Sequence, residues 1–168
     1  MLAHIRLTAA ALLSACALPA LADLATPQGE VILTVSGTIT ETNADGTAQF
    51  DLDMLRALPS DAFETSTIWT NGPQQFKGVP LKALMQELGA DGKTLRSIAI
   101  NAYEVQIPVS DAQDGGPIIA YELNGAAMSV RDKGPLWVVY PYDSDPRFRT
   151  EVVYSRSIWQ LDRIEIVN

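Results

Sequence analysis

The sequence predicts an α+β fold of mixed sheets with a few short helices. Short runs rich in β-branched and aromatic residues, bounded by Gly, Pro or Asn-Gly, recur along most of the chain, which is the signature of strands. The fullest of them, residues 136–140, is uninterruptedly apolar between Gly134-Pro135 and Pro141, as expected of a strand covered on both faces at the centre of a sheet. Against these, only residues 80–89 carry a complete helical signature. Repeats, low-complexity tracts and linkers after Gly29 are lacking, so residues 23–168 read as one domain.

Taken in order, residues 23–29 form a tether containing Pro27 and Gly29. Residues 31–39 read as a strand with a bulge or close backbone approach at Gly37. Residues 43–46 are a turn. Asp51 is placed to cap a short helix that buries Leu52, Leu55 and Leu58 and stops at Pro59. Residues 63–69 alternate, with Phe63, Thr65, Thr67 and Trp69 on one side of a strand. After the turn at Asn71-Gly72-Pro73, Pro80 opens the helix whose apolar stripe is Leu81, Leu84, Met85 and Leu88, and Gly89 supplies its left-handed exit. Residues 95–100 and 103–107 are strands around Asn101-Ala102, ended by Pro108, and Ser110-Asp111 begins a turn or single helical turn. Residues 117–123 form a strand, and Asn124-Gly125 marks a hairpin because both residues tolerate positive φ. Residues 142–149 are an irregular loop, and residues 163–167 a last strand with Ile164 and Ile166 on its apolar side.

The first 22 residues stand apart. A basic start, an Ala/Leu-rich run over 7–21 and the pattern Ala20-Leu21-Ala22 predict a secretory signal peptide, with the mature chain beginning at Asp23 in the periplasm or outside the cell. The run is shorter than the ~20 apolar residues of a membrane span, so no transmembrane segment is expected in the mature chain. Leu13-Ser14-Ala15-Cys16 offers an alternative, lipid anchoring at Cys16. The segment holds the only histidine, His4, and the only cysteine, Cys16. A mature chain without thiol or imidazole excludes a disulfide framework, Cys/His zinc sites, Cys or His nucleophile–base pairs and His-ligated haem.

Twenty acidic residues face eleven basic ones once Arg6 is removed. That balance argues against nucleic acid and anionic lipid as partners. The charge is uneven: residues 23–130 hold fourteen acids and five bases, residues 131–168 six of each. A small anionic molecule is therefore expected in the C-terminal third, where Arg131, Lys133 and Arg147 flank the apolar 136–140 run and Arg156 follows.

Four segments carry a resemblance to the molybdopterin-binding domain of the sulfite oxidase family. Phe76-Lys77-Gly78-Val79-Pro80-Leu81 resembles its aromatic-x-Gly-Val-Pro-Leu entry to a helix. Residues 119–128, containing Ala120-Tyr121-Glu122-Leu123-Asn124-Gly125, resemble its hairpin. Residues 134–141 resemble its Gly-x-Pro-Leu strand, and residues 159–166 the stretch that closes its domain. Order and spacing agree from about Thr65 to Asn168. The resemblance implies that family's α+β fold and makes molybdopterin the cofactor to consider.

Departures from the pattern bear on the chemistry. The family's molybdenum-ligating cysteine would fall within residues 63–71, which offer Thr65, Ser66 and Thr67. Its histidine before Gly-x-Pro is Lys133 here, and its arginine after Pro-Leu is Trp137. A hydroxyl is a harder ligand of far higher pKa than a thiol, so the substitution is not conservative. No catalytic residue and no metal ligand is therefore expected. The candidate ligand contacts are Thr67, Trp69, Asn101, Tyr103, Arg131, Lys133, Arg147 and Arg156. For the bases, pairing with neighbouring carboxylates is the competing role; for the aromatics, packing. Three functions follow: a non-catalytic module that binds a small anion or senses it, an oxidoreductase with a non-thiolate molybdopterin site, and an accessory subunit of a periplasmic redox or sensor protein.

Overall fold

The computed structural model describes residues 24–168. His4, Cys16 and the signal-peptide reading lie outside the described residues. Two five-stranded sheets carry the chain, joined through a short strand at their seam.

The first sheet has the order β2-β1-β10-β5-β6, from β1 (Leu33–Gly37), β2 (Ala48–Phe50), β5 (Thr94–Ala99), β6 (Glu104–Pro108) and β10 (Leu161–Val167). The pair β1–β10 is parallel and the other pairs are antiparallel. The expected close approach at Gly37 is present: its φ is 91°, and a methyl group there would run into the carbonyl oxygen of Ile166 on the neighbouring strand.

The second sheet orders β3 (Asp61–Ser66), β4 (Pro73–Pro80), β7 (Ile118–Leu123) and β8 (Ala126–Ala127), with β9 (Trp137–Val139) also paired to β7. Asn124 and Gly125, with φ of 52° and 78°, turn β7 into β8 as the Asn-Gly pair requires. The strand β4 was not legible in the sequence, where Gly78-Val79-Pro80 reads only as a helix entry. It pairs with β3 on one side and β7 on the other. Likewise, the alternation expected through Trp69 stops at Ser66, and residues 67–70 turn away from the sheet.

Helix α1 (Leu52–Ala57) begins where Asp51 accepts the Met54 N–H at 2.8 Å. Helix α2 (Leu81–Glu87) buries Leu81, Leu84 and Met85, and Leu88 follows at its C-cap, also buried. A third helix, α3 (Glu151–Arg156), is capped by Thr150. At six residues it is too short to show an apolar period in sequence. Among the described residues no helix is long and apolar enough to cross a membrane.

β9 is fully buried, as the sequence predicts for this run. Its position is more specific than the middle of one sheet. One edge pairs with β7, and the other is bound to the approach to β10: Val138 N–H donates to Ile158 O at 2.9 Å, and Leu161 N–H to Leu136 O at 3.0 Å. Three residues thus tie both sheets into one core.

Candidate functional site

Two of the positions where the resemblance expects metal-site residues, Lys133 and Trp137, meet at this seam, and a third, Thr65, is tied to the loop that follows β9. Thr65, at the end of β3, is wholly buried, and its hydroxyl accepts the Asp143 N–H at 3.0 Å. Asp143 in turn accepts the Ser66 N–H at 2.6 Å and the Arg149 guanidinium at 2.8 Å. The Ser66 amide, then Arg149, hold the Asp143 carboxyl below the usual carboxylate range. Beyond the strand, Thr67 Oγ1 accepts the Trp69 N–H at 3.1 Å and shares a 2.8 Å hydrogen bond with Thr70 Oγ1. This Thr turn sets the direction of Trp69.

Trp69 stands at the centre of an aromatic cluster. Its ring meets Trp137 at 5.9 Å, Tyr154 at 5.9 Å and Trp159 at 5.5 Å, each edge to face. Phe76 adds a 5.4 Å edge contact to Trp137, whose indole N–H donates to Ser157 O at 3.3 Å. These are the favoured arrangements of ring quadrupoles. The Lys133 ammonium lies 5.8 Å from the Trp137 ring and 5.5 Å from that of Trp159, within cation–π range. Lys133 and Gln160 both have positive φ, 73° and 53°, and Gln160 N–H donates to Lys133 O at 3.0 Å. Two residues in a conformation that non-glycine side chains rarely adopt are thus locked together behind Trp159.

Beside the cluster opens a cleft of about 450 Å³. Four aromatics, Trp69, Tyr103, Tyr154 and Trp159, form its walls, with Ile68 and Ile158 adding aliphatic surface. Asn101, Ser155, Ser157 and Gln160 supply its polar groups, and no lining side chain is charged. Volume, an apolar majority and a few polar groups are the usual attributes of a small-ligand site.

Of the eight candidate contacts, Trp69, Asn101 and Tyr103 line this cleft, and Thr67 braces Trp69 from behind. The bases do not converge on it. The Arg156 guanidinium leaves the cleft's edge for Asp111 at 2.9 Å, a carboxylate that also accepts the Tyr140 hydroxyl at 2.7 Å. Burial, and then the Asp111 carboxylate, push the Tyr140 pKa up, so the phenol stays protonated. Arg147 pairs with Asp145 at 3.4 Å and lies 4.7 Å over Phe148. Arg131 is exposed in the turn at Val130–Asp132. Sequence reasoning did not single out Tyr154, Ser155 and Gln160 as contacts. Tyr154 and Ser155 sit on the short helix α3, and Gln160 shows itself only through its strained backbone.

Molybdenum is the metal the fold type implies, and the donor set does not fit it. The described residues contain neither Cys nor His, and no group of three His, Cys, Asp or Glu side chains among them is placed to hold a metal ion. The hydroxyls of Thr65 and Thr67 are already committed to backbone amides. Trp137, where the resemblance expects an arginine, is completely buried and offers only an indole N–H that is in use. The cleft beside it has no cation among its lining residues to receive a pyrophosphate.

Residues 62–144 match the family model described as the oxidoreductase molybdopterin binding domain. No curated protein sequence matches the chain. Among solved structures, the chain is similar to the sulfane dehydrogenase SoxCD from Paracoccus pantotrophus, with a TM-score of 0.60 and 19% identity. That likeness covers 80% of this chain but 37% of the other, so the chain spans well under half of that neighbour's length. At such identity the similarity speaks to the fold.

Proposed function

We propose that this chain, whose residues 62–144 match the model of the oxidoreductase molybdopterin binding domain, is a non-catalytic binding module of that fold. The carrying observation is the aromatic cluster. Trp137 and Lys133 occupy positions where the resemblance expects an arginine and a histidine, and both are packed into a wall rather than turned toward a reacting centre. The scaffold is retained while the groups that would hold and tune a metal are replaced by groups that pack. The uncharged cleft beside them is the surface left to bind something. In this reading the module serves as a sensory or accessory component of a periplasmic redox system, exported by the signal peptide over residues 1–22.

A small anion is the less favoured occupant. Arg147 and Arg156 are paired with Asp145 and Asp111, leaving Arg131 and Lys133 as the candidate bases without a carboxylate partner among the described residues. Neither lines the cleft.

Elemental analysis of the protein purified from its native compartment tests the role. The expected result is molybdenum far below one atom per chain, with no oxidation of sulfite. About one molybdenum per chain would overturn the reading and favour an oxidoreductase with a non-thiolate site.

A further inference from the structure

We infer that the cleft between Trp69, Tyr103, Tyr154 and Trp159 binds an uncharged, planar ring compound, an inference that rests on the non-catalytic reading above and names its ligand class. The shape requirement comes from the walls. Four aromatic side chains converge on one opening of about 450 Å³, a size suited to a fused-ring molecule. Trp69 and Trp159 are held at fixed angles by their mutual contact and by Trp137, and Tyr154 packs edge to face on Trp69, so stacking surface is formed before any ligand arrives. A preformed surface binds more tightly because little ordering remains to be done.

The charge requirement comes from what surrounds those walls. No lining side chain is charged, so an anion entering the cleft would lose its water without gaining a cation. A cation could be drawn to the ring faces, but the Lys133 ammonium already lies against Trp159 and Trp137 and repels a second positive charge, and no carboxylate lines the cleft to offset it. An uncharged ring meets neither cost. Polar substituents can be met by the Asn101 and Ser155 side chains, which line the cleft.

The surface around the cleft extends this character. Of the seven exposed large hydrophobic side chains among the described residues, Ile68, Tyr103 and Trp159 line the cleft, and Ile100, Val130 and Val152 are near lining residues along the chain or through a hydrogen bond. Val130 is tied to the site through its carbonyl, which accepts the Gln160 side-chain amide at 2.7 Å. Val152 shares α3 with Tyr154 and Ser155. Ile68, Tyr103 and Trp159 themselves line the cleft, and exposed apolar side chains gathered at one opening mark a binding site rather than scattered surface residues.

The test is calorimetric titration of the purified protein with 2-naphthol, with 2-naphthoate as the anionic match and a naphthyl trimethylammonium salt as the cationic one. The expected result is one saturable site for 2-naphthol, at least tenfold tighter than for either charged analogue. Tyr103→Ala and Ile68→Asp alter exposed side chains and should weaken binding at least fivefold while leaving the melting temperature unchanged. Absence of saturable 2-naphthol binding, equal affinity for a charged analogue, or indifference to both substitutions would overturn the inference. Molybdenum content measured on the same preparation keeps the two claims separable. A metal-free protein that ignores 2-naphthol removes the ligand class and leaves the non-catalytic reading standing, whereas stoichiometric metal removes that reading.

Discussion

Asp51 shows how much a single buried carboxylate organises. It caps α1 through Met54 and also accepts the N–H groups of Gln28 and Gly29, each at 2.8 Å, fastening the chain before β1 to the first helix. Those amides, Met54 first and then Gly29, hold its carboxyl below the ordinary value. The folded pKa lies below the unfolded one, so the stabilisation is fully present above the ordinary carboxylate value of about 3.9 and is lost as pH falls through the lower folded value. Asp143 acts in the same direction. Melting temperatures measured from pH 7 down to pH 2 should therefore fall most steeply below about pH 4. Asp51→Asn, which keeps a capping oxygen but loses the charge, should flatten that slope. An unchanged slope in this variant would mean that other carboxylates govern acid unfolding.

Among the elements, α2 is the one whose sequence signature and structure agree most fully. Pro80 opens it, Leu81, Leu84, Met85 and Leu88 are buried, and Gly89 leaves it with φ of 53°. Leu84 is completely inaccessible, so Leu84→Ala removes contacts on all sides and leaves a cavity. The expected loss is about 2–5 kcal/mol, read from chemical denaturation. A loss below about 0.5 kcal/mol would show that the site collapses around the smaller side chain. Helix α3 is the contrasting element, because six residues give fewer than two turns. Nothing in its periodicity announces that Tyr154 and Ser155 reach the cleft.

At the scale of the whole molecule, β9 decides whether two sheets behave as one body. It pairs with β7 along one edge and is bound to residues 158–161 along the other, while Trp137 packs against Trp69, Phe76 and Trp159. Neither sheet can open at this seam without exposing that indole. Thermal unfolding of residues 23–168 should therefore be a single transition, with calorimetric and van't Hoff enthalpies in agreement. Two resolved transitions would show that the sheets unfold independently. The same seam supports the cleft, since Trp159 and Gln160 lie between β9 and the start of β10.

From the sequence alone came the α+β class, most strand positions, α2 and the cap of α1. It also showed the lack of Cys and His after residue 22 and the departures at Thr65–Thr67, Lys133 and Trp137. These are properties of composition and short periods, which local chemistry imposes on the chain. Trp69, Asn101 and Tyr103 were among the candidate contacts named from the sequence, and they line the cleft. Only the tertiary structure decided the rest: β4 as an inner strand, β9 as a seam, and a cleft walled by aromatics from three separate segments. The bases illustrate why. Arg156 meets Asp111 across 45 positions of sequence, and Lys133 meets Trp159 across 26, so no local pattern could have told a paired or stacked cation from one free to hold an anion.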